Sequence, residues 1–454
     1  MDSQELLNKI KTGKYEYDGL SISENLELFN ADIKTLDNLI FKNCYFKEVA
    51  IYEIKNAFLT IKFHNCTFDG EIKIIRCSIH DLQFSSLEKI KKININYGKF
   101  ETISINSSNP IDGDIEINEA IINGHLDCSN LFLKKGQFTL NVRDKANGAT
   151  FNTSFDNSTI NMLNFSFCKF GEKVNFKNFK LISSSIFDSC EFKNIKFKEA
   201  DFGNDCLFNN CLFEKNTSFQ NSKNIIGTHL LIKNSLFLSF PHFNESEFNH
   251  LEILHTVFEK KVSFDSIKVN TINFNQVTFN QGAYFDDILI KKINNCNRKT
   301  IRLIKQELQK AENKIDFNRF RAYELAAHYE ELNWKWNSGF IDKSILYLTK
   351  ISTDFGNSWR RALGFTLISG FSIYLLFYIF ENIDYQIDTL NLDNWARLFS
   401  GFFRFLLVTD FYNPLETDRV YLTNPFSWLI FIFGKIFIAF GIYEMIQSFR
   451  KFKA

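Results

Sequence analysis

Net charge is almost absent from this chain. Its 53 basic and 52 acidic residues leave +1 over 454 positions, so no overall field directs it to nucleic acid or to an acidic substrate. No two of the nine cysteines stand in a C-x-x-C pair. The polar, acidic start (Met1, Asp2, Ser3, Gln4, Glu5) lacks the basic and apolar regions of a signal peptide. That predicts a chain whose bulk stays in a reducing cytoplasm, with its cysteines as thiols. No P-loop, G-x-G-x-x-G, H-E-x-x-H or nucleophile elbow occurs. The eight histidines are scattered, with His242, His250 and His255 nearest to a cluster. Secretion and a carboxylate-lined groove, which a polysaccharide-cleaving β-helix needs, are not visible either. These absences predict a non-enzyme with no cofactor and no metal. Proline falls to 4 residues while phenylalanine reaches 53, a number that calls for a repeat search before anything else.

Aromatic positions recur in register from about residue 40 to residue 290. One column reads Phe46, Phe68, Phe170, Phe192, Phe213, Phe237, Phe258, Phe279; another reads Phe165, Phe187, Phe208, Ile253, Phe274; a third reads Phe219, Phe243, Phe264, Phe285. The repeat is a little over twenty residues, with anchors five or six apart inside it, as in Phe187, Phe192, Phe197 and Phe202. Neither a helical nor a strand period explains this, whereas a coil with four short faces per turn does. At about 4.8 Å per turn the segment predicts roughly eleven turns and a rod of about 50 Å. Two residues before the phenylalanine stands a small side chain (Cys44, Cys66, Cys168, Cys190, Cys211, Ser235), which reads as a packed thiol ladder. Asn43, Asn65 and Asn210 before it fit corners with left-handed backbone. The stretch 124–148 breaks the register.

On these residues the segment resembles pentapeptide-repeat proteins, which implies a right-handed quadrilateral β-helix. The gyrase-protecting members of that group present a strongly acidic rod, which the charge balance here argues against.

Beyond Ile290 the pattern changes. Ile301, Ile304, Leu308, Ile315, Phe320, Leu325, Tyr329 and Leu332 follow helical spacing with charges between them, predicting amphipathic connecting helices. Residues 362–380 carry no charge and are long enough to cross a bilayer, with Trp359 and Tyr378 at the ends. A second candidate, 425–448, contains Lys435 near its middle. Between them 395–411 is apolar but too short to cross. The basic flanks (Lys343, Lys350, Arg360, Arg361; Arg450, Lys451, Lys453) and the acidic intervening loop (Asp384, Asp388, Asp393, Glu416, Asp418) predict cytoplasmic termini. The expected division is 1–38 as a cap, 39–292 as a cytoplasmic β-helix and 293–357 as connecting helices. A pore domain follows at 358–454, with spans at about 359–380 and 425–448 and a half-helix at about 394–409.

Two spans around a short half-helix are similar to a two-helix cation-channel subunit, and that resemblance implies a homotetramer in the lipid bilayer. Such channels end the half-helix with a Thr-Val-Gly-Tyr-Gly filter; here Leu406, Leu407, Val408, Thr409, Asp410 and Phe411 stand instead, so potassium selectivity does not transfer. Arg404, Val408, Thr409, Asp410, Phe411 and Lys435 are the candidate pore-lining residues, with Asp410 or Glu444 as partners for the lysine. Arg360, Arg361 and Glu444 are the candidate gating residues. Across most of the chain the architecture resembles HalA-type membrane effectors of Hailong anti-phage defence. That resemblance implies a bacterial inner-membrane channel controlled by a short single-stranded DNA oligomer from a partner nucleotidyltransferase. Lys134, Lys135, Arg143 and Lys145, in the stretch that breaks the repeat, are the candidate ligand contacts. The other reading is a membrane-anchored scaffold without conductance.

Overall fold

A computed structural model describes residues 1–33, 35–142, 150–224, 229–335, 339–381, 392–416 and 419–450. The chain divides into two compact units, Met1–Leu303 and Ile304–Ala454.

The first unit is a parallel β-solenoid of about 12 turns, and strand makes up 40% of the chain. Its strands fall into a sheet of 18 strands and a sheet of 15, between which the chain passes in every turn. The pairings run in parallel, for example Phe165↔Phe187, Phe187↔Phe208, Phe208↔Ile232 and Ile232↔Ile253. Alternation of inward and outward residues puts one large side chain on each short face, and stacked turns place like on like. Ring centroids of Phe170 and Phe192 lie 4.9 Å apart, Phe192 and Phe213 5.1 Å, Phe213 and Phe237 4.2 Å, all stacked. The column Phe219, Phe243, Phe264, Phe285 stacks in the same way at 4.6, 5.0 and 5.0 Å.

Most turns have two corners held by a residue in the left-handed region. Asn43, Asn65 and Asn210 are such residues (φ 50, 53 and 53), but so are Glu53, Arg76, Tyr97 and Phe167. A non-glycine residue there costs about 1–2 kcal/mol. The corner offsets part of this by pairing its N–H with the next turn: Asn65 donates to the Ser85 carbonyl at 2.9 Å and Asn210 to that of Lys233 at 3.1 Å. Asparagine adds a ladder of its own, with Asn65 Nδ2 on Asn43 Oδ1 at 2.7 Å.

The residue after the corner points inward, and its cysteine or serine does more than fit. The Cys190 thiol reaches the carbonyls of Asp188 at 3.4 Å and Phe165 at 3.5 Å, and Cys211 repeats this with Asn209 and Phe187. Ser222 and Ser246 donate to Phe197 and Phe219 at 2.7 and 2.6 Å. A small donor at this position therefore adds a second bond to corner carbonyls that already accept a backbone N–H, such as those of Asp188, Asn209, Phe197 and Phe219.

One expectation needs correcting. The first aromatic column is not one column: Phe46 and Phe68 pair in the 15-stranded sheet, whereas Phe170 to Phe279 pair in the 18-stranded one. Both half-turns end in the same corner, small residue and aromatic, so spacing alone does not tell one sheet from the other. The break in register expected from residue 124 is present, as shifts within a ladder that continues. Strands Ile121–Asp127 and Phe132–Asn141 stay in parallel pairing with register shifts, Phe138 lying opposite Ile115 and Leu163. Strands begin at Glu16–Asp18 and Ser21–Phe29, inside the stretch read as a cap, where helix α1 (Ser3–Lys11) buries Leu6 and Ile10. After a four-residue α2 (Asn30–Ile33), no further α-helix is found among the described residues until α3 (Arg298–Lys310). At the other end the Ile272 and Phe274 N–H groups of the last long strand are met by Cys296 Sγ and Thr300 Oγ1, which blunts the open edge.

The second unit is helical: α4 (Lys314–Glu331), α5 (Phe340–Thr353), α6 (Trp359–Glu381), α7 (Leu392–Leu406) and α8 (Pro425–Arg450). Helices α6 and α8 are long and apolar enough to cross a membrane, and most of their surface is not buried within the chain. They pack antiparallel: Trp359 stacks on Phe449, Phe365 meets Phe440, and Phe377 meets Phe431.

Candidate functional site around the short helix

Helix α7 has 15 residues, about 22 Å of rise, and does not match the length of its neighbours. It is built against α6 through glycine. A Cβ at Gly401 would stand 2.3 Å from Tyr374 Oη, whose hydroxyl donates to the Leu398 carbonyl at 2.9 Å. Further along, Phe402 meets Phe371, Phe405 meets Tyr374 and Phe377, and Leu406 reaches Gly370. Gly370 is the middle of α6, with eleven residues on either side of it in the helix. The short helix thus starts toward the C-terminal end of α6 and stops halfway down. The following chain turns back. Asn413 donates from Nδ2 to Glu381 Oε1 at 3.2 Å, at the end of α6, and Trp428 Nε1 to the Leu422 carbonyl at 2.8 Å.

A helix that stops there leaves its last carbonyls without partners. Lys435 of α8 supplies one to Phe405 and a second to Leu407, whose carbonyl also accepts from the Asp410 N–H at 3.1 Å. The lysine ammonium donates to the carbonyls of Phe405 at 2.9 Å and Leu407 at 2.6 Å, over the rings of Phe431 (4.7 Å) and Phe405 (5.3 Å). The residue is 5% exposed. A cation at a helix C-terminus also opposes the partial negative charge of the aligned peptide dipoles. Gly434 next to it makes the approach possible, because a Cβ there would be 2.4 Å from the Phe405 ring.

Of the expected partners of the lysine, Asp410 acts on its charge without a direct bond, and Glu444 is bonded elsewhere. Asp410 accepts from the Tyr412 N–H at 3.1 Å, and Glu444, 7% exposed, accepts from Thr353 Oγ1 at 2.9 Å. Arg404 donates to the Glu416 carbonyl, and Arg397 lies 3.8 Å from the Glu416 carboxylate. Val408 packs on the aromatic core formed by Tyr374, Phe377, Phe402, Phe405 and Phe431. Leu407, Thr409 and Phe411 are exposed and Asp410 is half-buried, all outside any helix.

Arg360 lies over the Trp359 ring at 5.8 Å, and Arg361 is 3.6 Å from Asp354. In the solenoid Lys134 and Lys135 are exposed on strand Phe132–Asn141, with Lys135 3.4 Å from Asp112. Arg143 and Lys145 lie outside the described residues, as do Asp384, Asp388, Asp418, Lys451 and Lys453. His250 bonds to Thr271 and stands 5.3 Å from His229, while His255 is a corner residue (φ 48). Among the described residues no group of three metal-capable side chains occurs.

Sequence reasoning singled out Lys435 but missed Tyr374, Gly401 and Gly434. The signal available for the last two was a glycine inside an apolar run, which marks close backbone approach.

The chain matches no protein-family model, no curated protein and no solved structure.

Proposed function

We propose that α6 and α8 cross a bilayer, that α7 is a re-entrant half-helix, and that several copies of the chain together form a pore. One observation carries this reading. The non-helical segment 407–411, with Thr409 exposed and Asp410 half-buried, follows directly on Leu406, which meets Gly370 at the middle of α6. At the corresponding depth in a membrane, irregular backbone and a carboxylate are tolerated only where protein covers them or water lines them. A lone protomer in lipid offers neither to the exposed part. Neighbouring copies enclosing a water-filled path offer both.

Lys435 then serves as the group that holds the half-helix in place, and the segment containing Thr409, Asp410 and Phe411 lines the path. The likeness to two-span channel subunits favours four copies. The solenoid is the sensor in this reading. The resemblance to anti-phage membrane effectors supplies the ligand, a short single-stranded DNA oligomer at the surface around Lys134 and Lys135.

Recording currents from purified protein in planar bilayers, with and without short DNA oligomers, tests the proposal. Discrete conductance that changes with Asp410→Ala supports it. A protein that inserts, stays monomeric and passes no current under either condition refutes it in favour of an anchored scaffold.

A further inference from the structure

The helical unit holds a second polar place, away from α7. A cleft of about 100 Å³ opens between α4, α5, the turn after α5 and the last turns of α8. Asn318, Arg321, Thr349, Tyr443, Glu444 and Gln447 supply its polar lining.

Three features make it a built site rather than a gap. Glu444 is 7% exposed and accepts from Thr353 on Oε2, while Arg321 on the same cleft acts on its charge without closing to an ion pair. A buried carboxylate is stabilised by a donor or a cation, and here the cleft is where one can enter. Arg321 is exposed on the wall and makes no ion pair among the described residues, so its five-donor fork is available to an oxyanion. Tyr443 accepts from Gln447 Nε2 at 2.8 Å, which leaves its own hydroxyl proton to donate. The cleft therefore offers one acceptor for a cation and two donors for an anion.

Its level along α8 selects the ligand. Glu444 precedes Phe449, which stacks on Trp359, by five residues, about 7.5 Å along the axis. That offset runs toward the middle of the span, so with Trp359 at the outer edge of the headgroup layer, which is about 5–8 Å deep, Glu444 stands at the inner edge of that layer. Arg360 and Arg361 stand at this same end. We propose that the cleft binds the headgroup of a zwitterionic aminophospholipid, the primary ammonium on Glu444 and the phosphodiester on Arg321 and the Tyr443 hydroxyl. A trimethylated choline headgroup has the same net charge but no N–H to give Glu444. An unprotonated glycerol headgroup has no cation at all. The site should distinguish the three. This inference rests on α6 and α8 being spans, but not on conductance.

Native mass spectrometry of the full chain released from nanodiscs tests it. The nanodiscs would hold equal amounts of phosphatidylethanolamine, phosphatidylcholine and phosphatidylglycerol. The expected result is at least about tenfold more retained phosphatidylethanolamine than phosphatidylcholine, the factor that 1.4 kcal/mol gives. Glu444→Gln should erase that preference, and Arg321→Gln should reduce retention of both zwitterionic lipids. Tyr443→Phe, which keeps the packing, should lower retention severalfold, so a folding defect in the other two variants does not decide the matter. Equal retention of ethanolamine and choline lipids by the wild type, or an unchanged preference in Glu444→Gln, overturns the site. Soluble phosphoethanolamine held as tightly as the lipid overturns the lipid source. Extraction of the chain from membranes by alkaline carbonate overturns the spans themselves, a failure distinct from the other two.

Discussion

The two units bury backbone carbonyls by opposite means. In the solenoid the work is divided: corner after corner presents a Cys, Ser or Thr hydrogen to a carbonyl, and each bond concerns its own turn and the next. In the helical unit one ammonium carried by another helix serves two carbonyls at the end of α7, that of Phe405 and that of Leu407, the latter shared with the Asp410 N–H. Distributed capping tolerates the loss of a member. Concentrated capping does not, and it makes the position of α7 a property of α8.

That contrast is open to attack at four points, the largest effect first. Lys435→Met keeps the aliphatic bulk and removes both donors. At about 1–3 kcal/mol for the Phe405 carbonyl left buried and unpaired, and about 1 kcal/mol for the bond lost at Leu407, which keeps the Asp410 N–H, the helical unit should lose about 2–4 kcal/mol, read by denaturant titration in detergent. Unchanged stability would show that α7 does not rely on the lysine.

The solenoid answers instead to pH. Burial pushes the thiols of Cys128, Cys190, Cys206 and Cys211 above the ordinary value of 9.0. A group whose folded pKa is raised contributes stability that is whole below its unfolded pKa and is lost as pH climbs above it. Each thiol should therefore cost about 1.4 kcal/mol per pH unit once pH exceeds about 9. Circular dichroism should show steep alkaline loss of strand signal, shallower after Cys190→Ser and Cys211→Ser are combined.

Gly401→Ala sets a methyl against Tyr374 Oη and should cost about 1–3 kcal/mol, part of it recovered when Tyr374→Phe removes the hydroxyl. Smallest of all, Cys190→Ser should leave thermal stability within about 0.5 kcal/mol, because a hydroxyl replaces the thiol donor, whereas Cys190→Val should lose about 1 kcal/mol.

The same contrast explains what was legible in the sequence. A device repeated every half-turn leaves a period, so Phe187, Phe208, Cys190 and Asn210 announce a coil, and the cysteines read as structural. The period does not say which of two equivalent corners a residue occupies, which is why Phe68 and Phe170 were joined in one column. The donor role of the small residue was also hidden, since cysteine fits an apolar ladder equally well. A device used once leaves no period. Lys435 stood out because a charge interrupts an apolar run, but its acceptors are main-chain atoms, which no choice of side chain reveals. The search for a carboxylate partner led to Asp410 and Glu444 for that reason. The lengths of α6, α7 and α8 followed from hydropathy and charge alone, and the depth at which α7 stops followed only from Gly370 and Gly401 meeting Leu406 and Tyr374.

The most direct test asks whether water reaches the chain where α7 ends. The nine native cysteines are all buried, so Thr409→Cys adds a single accessible thiol. In liposomes, a charged, membrane-impermeant thiol reagent should label Cys at that position within minutes and reduce the current through the pore. If only a lipid-soluble maleimide reacts and the current is untouched by the charged reagent, the segment faces lipid or packed protein, and the pore account is wrong.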